Sequence, residues 1–191
     1  MEKGQLQQLQ SFLSTSKNIV IVPHRNPDGD AMGSTLALCQ YFNNKGHSAK
    51  VVAPNEYPEF LRWLPGSDSD VILFDKQNKQ AKRAIESSDI IFLLDFNALH
   101  RVGDDMAKTL ELYKNDFVMI DHHQQPDTIA KYLYSDTSIC STAQMVYHFL
   151  EMLNDVKSIT KDIATCLYTG IMTDTGSFRF RSTTSETHRI V

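Results

Sequence analysis

The chain has 191 residues, 41% hydrophobic and 22% charged, with a formal net charge of −4. This is the length of one large domain, or of one domain with part of a second, and the composition excludes disordered and fibrous classes. The lack of a basic excess excludes an extended duplex-DNA surface, whereas a small phosphorylated ligand stays compatible because a bound metal would supply local positive charge.

Met1 to Gln10 has no apolar signal core, and no run approaches the ~20 residues of a membrane span, so a cytoplasmic protein without a membrane partner is expected. Leu6, Leu9, Phe12 and Leu13 fall at helical spacing within Gly4 to Ser14. Asn18 to Pro23 is a short apolar run, as in a strand buried on both faces. A helix from Ala31 to Asn44, ended by Gly46, precedes a strand at Lys50 to Ala53 and a proline-containing loop from Pro54 to Pro65. Further strands are expected at Val71 to Phe74, Asp89 to Leu94, Phe117 to Ile120 and Tyr132 to Tyr134. Helices are expected at Asn78 to Ser87, Asp104 to Asn115, Ser141 to Leu153 and Lys161 to Met172, the last two separated by a polar turn at Asn154 to Ser158. Alternating strands and helices predict a three-layer α/β fold, a mostly parallel sheet with helices on both faces. Cys39, Cys140 and Cys166 lie in apolar helical stretches with no C-x-x-C pair and read as buried, reduced residues.

Ligands of an open parallel sheet bind beyond the carboxyl ends of its strands. After Asn18 to Pro23 comes His24-Arg25-Asn26-Pro27-Asp28-Gly29-Asp30; after Asp89 to Leu94 comes Asp95; after Phe117 to Ile120 come Asp121, His122 and His123. Taken singly, an Asp at a strand end is a turn former or a cap, and Asp30 could cap the helix that follows it. Together they would place like charges in one crevice, which costs stability unless a cation neutralises them. Pro27 and Gly29 suggest a tight non-helical loop from which Asp28 and Asp30 point the same way, each toward a different ion. Oxygen and imidazole donors without thiolate suit manganese, magnesium or iron(II). Gly33, Ser34 and Thr35 read as the first turn of the next helix, where free amides favour an anion. Asp174 ends an apolar helix and can complete a second ion's shell. His47, His100, His148 and His188 fit no metal pattern.

The segments H-R-N-P-D-G-D-A-M-G-S (24–34), Asp95, D-H-H (121–123) and T-D-T-G-S-F-R-F (173–180) occur in an order that resembles the DHH phosphoesterase family. The P-D-G-D-A-x-G-S and T-D-T-G-S-F-R forms, with D-F-N-A-L-H-R-V-G at Asp95 to Gly103, are most similar to its oligoribonuclease (nanoRNase) branch, which also removes phosphate from adenosine bisphosphate, pAp. The resemblance implies that His24, Asp28 and Asp95 hold one ion and that Asp30, Asp95, His122 and Asp174 hold another. Two divalent ions, manganese first, are therefore expected, with Asp95 bridging. It also implies that Asp121 orients the histidines and His123 touches the scissile phosphate. Arg101 would assist in catalysis, and Arg25, Ser34 and Arg179 are candidate phosphate contacts; Arg25, Arg101, Arg179 and Arg181 read equally well as solvated surface groups.

The implied activity is two-metal hydrolysis of short single-stranded oligonucleotides or small phosphorylated nucleotides by a metal-activated hydroxide. Two alternatives stand beside it: a pyrophosphatase, exopolyphosphatase or linear-dinucleotide phosphodiesterase of the same family, and a metal-stabilised binding domain without turnover. Family members are often homodimers and carry a C-terminal substrate-binding domain with a glycine-rich motif. Residues 1–191 read as the catalytic domain alone, ending in the first turns of a helix at Thr187 to Val191, and a truncated chain is expected.

Overall fold

The computed structural model describes residues 1–191. Apolar runs form six strands: β1 (Asn18–Val22), β2 (Ser48–Ala53), β3 (Val71–Leu73), β4 (Ile90–Leu94), β5 (Asp116–Asp121) and β6 (Tyr132–Ser135). Seven helices accompany them: α1 (Lys3–Phe12), α2 (Gly29–Asn44), α3 (Asn78–Ser87), α4 (Asp104–Glu111), α5 (Thr142–Met152), α6 (Lys161–Asp174) and α7 (Ser185–Ile190). All neighbouring strands pair in parallel, in the order β3-β2-β1-β4-β5-β6. The expected three-layer α/β sheet is present and is parallel throughout. No helix is long and apolar enough to cross a membrane.

Successive residues of a strand face opposite sides, and each side has its own core. Ile19, Ile21, Phe92 and Val118 pack beneath α1, α2, α5 and α6, whereas Val20, Val22, Ile91 and Met119 pack against α3 and α4. Continuous apolar runs follow from this, because both faces of each central strand are dry. The three cysteines are buried and free. From β1 the chain proceeds outward to β2 and β3, then returns past β1 to β4. The strand order therefore reverses between β1 and β4, the crevice at which open α/β sheets bind ligands.

Three helix boundaries differ from the sequence reading, two of them through caps. Helix α2 begins at Gly29 because the Asp28 carboxylate caps it, accepting from the amides of Asp30 and Ala31. Helix α4 stops at Glu111, short of Asn115, and leaves Leu112 exposed. The last helix, α7, opens on a reciprocal capping box between Thr184 and Thr187 and so starts at Ser185, two residues before the Thr187 start expected.

Helices α2 and α6 approach backbone to backbone. A Cβ added at Gly33 would lie 2.5 Å from the Cys166 carbonyl oxygen and 2.9 Å from the Gly170 nitrogen, atoms with little room to move. Gly33→Ala is expected to destabilise the fold by about 1–3 kcal/mol through overpacking. Gly4→Ala, where an added Cβ meets nothing within 4 Å, serves as the control. Urea denaturation reads the difference, and equal midpoints for the two variants would contradict the close approach.

Candidate metal centre

Strands β1, β4 and β5 are neighbours, so the residues that follow them emerge side by side at one edge of the sheet. His24 leaves β1, Asp95 leaves β4, and Asp121 ends β5 just before His122 and His123. Asp95 adopts φ +67°, a left-handed conformation that Asp tolerates better than most residues and that turns the chain sharply out of the strand. Asn26, at φ +55°, is pinned to the end of β2 by a reciprocal pair of hydrogen bonds with Asn55.

The two oxygens of Asp95 face different imidazoles. Oδ2 lies 3.5 Å from His24 Nε2, and Oδ1 lies 3.4 Å from His122 Nε2. His24 Nε2 is also 3.9 Å from Asp28 Oδ2; His122 Nε2 is 3.6 Å from Asp174 Oδ2 and 3.9 Å from Asp30 Oδ2. The Nδ1 atoms of the two rings face carbonyl oxygens, His24 that of Arg25 at 2.8 Å and His122 that of Ile139 at 3.3 Å. A carbonyl can only accept, so each Nδ1 carries a hydrogen and each ring turns Nε2 toward the carboxylates, the atom that holds a proton without a cation and would offer its lone pair to one. Donor atoms thus face donor atoms at distances too long for hydrogen bonds. Ligands on one divalent ion with bonds near 2.1 Å sit about 3.0 Å apart as neighbours and about 4.2 Å apart when opposite. The observed spacings fall within that range, and the donor set fits a pair of hard or borderline cations.

Electrostatics points the same way. Burial pushes the Asp30 carboxyl well above its usual range, and the charges of Asp95 and Asp174 push it further. Asp174 rises to about 6, first through burial, with Asp95 and Asp28 adding to the rise. Burial would also raise Asp95, but the two imidazoles that face it more than reverse this and hold it low. Burial lowers the basicity of His24 and His122, yet Asp95 and its neighbours raise both overall. Protons are retained where a cation would otherwise balance the carboxylates.

Asp121 is fully buried and accepts from His123 Nδ1 at 2.7 Å, while its second oxygen has no hydrogen-bond partner. It orients His123 alone, since the Ile139 carbonyl holds His122. His123 is the most exposed of the three imidazoles, and its basicity is raised chiefly by the Asp121 hydrogen bond.

Residues outside the motifs complete the site. The α5 N-terminus points into the cluster: the amides of Thr142 and Ala143 donate to Asp30 at 2.6 and 2.8 Å, and the Thr142 hydroxyl donates to Asp95 Oδ1 at 2.9 Å. In the sequence, Ser141-Thr142 reads only as a helix start, a role that Ser141 does fill by capping Gln144. Asp30 therefore lies inside the first turn of α2 and caps α5 instead of its own helix. The extended geometry expected for Asp28 and Asp30 is replaced by a cap followed by a helical turn.

The expected phosphate contacts are less central. Ser34 is fully buried and its hydroxyl bonds to the Ala31 carbonyl, so it does not reach the crevice. Because α2 starts two residues early, Gly33, Ser34 and Thr35 also lie beyond its first turn. Arg179 is exposed and donates to the Gly176 carbonyl within its own turn. Arg25 and Arg101 are exposed, joined by a backbone hydrogen bond of 2.8 Å. A separate group of His148, Glu151 and Glu186 already has a cationic partner in Arg189.

Thr142→Val removes one hydroxyl at nearly constant volume. It is expected to weaken Mn2+ affinity about 10–100-fold, as loss of an outer partner of a metal ligand does, with Thr142→Ser restoring it. Calorimetric titration of the metal-free chain checks this, and unchanged affinity in the valine variant would refute the positioning role.

Residues 18–171 match the DHH family, N-terminal domain. The chain is 34% identical over 175 residues to the bifunctional oligoribonuclease and PAP phosphatase NrnA of Thermus thermophilus, covering 90% of this chain and 48% of that protein. A crystal structure of an exopolyphosphatase-related protein from Bacteroides fragilis superposes with a TM-score of 0.95 at 35% identity, over 99% of this chain and 55% of that one. The exonuclease RecJ, in a crystal structure bound to manganese, shares the fold at a TM-score of 0.51 and 15% identity, over 90% of this chain and 42% of that one. The chain spans about half the length of the oligoribonuclease relatives it matches. With a family match across most of its length and a relative above 30% identity over nine-tenths of it, the chain belongs to the DHH family.

Proposed function

We propose that this chain is the catalytic half of a metal-dependent phosphoesterase acting on short single-stranded oligonucleotides or bisphosphonucleotides such as pAp. The observation that carries the reading is the pair of imidazole Nε2 atoms facing the two oxygens of Asp95 at 3.5 and 3.4 Å. His24, Asp28 and Asp95 would hold one divalent ion and Asp30, Asp95, His122 and Asp174 a second, with manganese the first candidate. Bound there, such ions supply Lewis acidity toward phosphate oxygens and lower the pKa of water.

The remaining work falls to the chain's own groups. Asp121 fixes the His123 ring through Nδ1, leaving Nε2 as a proton-bearing edge for a non-bridging phosphate oxygen. Thr142 and the α5 amides keep Asp95 and Asp30 in place without needing to reorganise during turnover. The named activity of the Thermus relative, an oligoribonuclease and PAP phosphatase, supports this substrate class. A second reading, hydrolysis of polyphosphate, is favoured by the naming of the Bacteroides protein as exopolyphosphatase-related.

The full-length protein with manganese is expected to turn over 5′-phosphorylated dinucleotides and pAp faster than tripolyphosphate or pyrophosphate. A reversed preference would overturn the substrate class, and no turnover of any of them would favour a binding domain. Asp95→Asn keeps the shape and tolerates the left-handed backbone, so it should fold. It is expected to lower kcat by roughly 10²–10³-fold or more. Wild-type turnover in that variant would remove Asp95 from the mechanism.

A further inference from the structure

Beyond the ends of β1, β2 and β3, on the side of α3 and α4, lies an open cavity of about 500 Å³. That volume is within the range of about 300–1,000 Å³ usual for small-ligand sites. Arg25, the residue directly after His24 in the chain, lines it and is the one cation in its lining. The Arg25 guanidinium makes no side-chain hydrogen bond and has no carboxylate within 4 Å, although its backbone and stem are fixed. The backbone amide bonds to the Arg101 carbonyl, and the stem rests on Gly103. Gly103 has φ +86° and ψ 155°, a region open essentially to glycine, and an added Cβ would lie 3.3 Å from Arg25 Cδ. A glycine-only turn thus seats an arginine whose head group is free.

The rest of the lining carries the opposite charge. Asp75, Asp104 and Asp105 face the cavity together with Asn55 and Asn78. A chain of phosphates would face three carboxylates against one guanidinium, an unfavourable set of like charges. A ligand with one phosphate at Arg25 and hydroxyl and N–H donors toward the carboxylates and amides matches the lining.

We propose that this cavity is a nucleoside subsite. It takes the sugar and base of the nucleotide unit next to the phosphate at the metal centre, with Arg25 gripping that unit's own phosphate. The inference rests on the phosphoesterase reading above and deepens it: the cavity discriminates nucleotides from polyphosphate, and Arg25 determines specificity.

The test uses the manganese-loaded full-length protein and two substrates, the 5′-phosphorylated diadenylate pApA and bis(p-nitrophenyl) phosphate, which lacks both a second phosphate and a nucleoside. Arg25→Ala is expected to raise KM for pApA at least about tenfold more than KM for the nitrophenyl ester, the scale of a lost hydrogen-bonded charge contact. Asn78→Trp, an exposed position at the start of α3, fills the cavity and should bias KM the same way. The subsite is overturned if both substrates respond in parallel or neither responds to the two variants. A wild-type protein that hydrolyses the ester but shows no preference for pApA would instead sink the nucleotide reading, and the subsite with it.

Discussion

A buried carboxylate faced on two sides by imidazole nitrogens depends on what those nitrogens carry. Asp95 is 2% exposed and has one short hydrogen bond, from the Thr142 hydroxyl, while both Nε2 atoms stand off at 3.4 and 3.5 Å. Desolvating charge in this way is costly unless a cation enters or protons are retained. The fold concentrates this tension at the point where the strand order reverses, with three adjacent strands delivering their end residues to one crevice. The shape of the sheet and the chemistry of the site therefore have a common origin.

The α5 N-terminus offsets part of that cost. Its two leading amides meet both oxygens of Asp30, and the positive end of a helix dipole lies against this buried acid. The amides oppose the rise in the Asp30 carboxyl's pKa without cancelling it, and they fix its position in the crevice. Asp28 shows the same economy, with one oxygen capping α2 and the other turned toward His24.

Much of this was legible in the sequence because the central strands are short apolar runs, and the polar residues that follow them share a chemistry visible only when the strand ends are compared. His24, Asp95 and the D-H-H triplet stood out at once, since strand burial fixes where the chain emerges. Thr142 did not, because Ser-Thr before an apolar helix is an ordinary cap until the position of α5 opposite β4 is known. Ser34 was misplaced for a related reason. Starting α2 at Ala31 instead of Gly29 shifts the register by two residues, enough to exchange a first-turn amide for a buried position within the helix. The arginines were illegible because a long flexible stem on an irregular loop carries no periodic signal, and only the fit of Arg25 against Gly103 gives its direction.

The glycine contact between α2 and α6 sets how far two of the candidate metal-holding carboxylates can move. Asp30 rides on the first turn of α2 and Asp174 on the last residue of α6, and at Gly33 and Gly170 the two backbones already touch. Neither helix can shift inward to follow a smaller ion, and the α5 amides restrain Asp30 from swinging outward. Calcium, with oxygen bonds of about 2.3–2.6 Å and a demand for six to eight ligands, would have to spread this frame. An ion held between Asp30 and Asp174 would thus meet a frame stiffened by the packing of two helices, at residues that would not touch it.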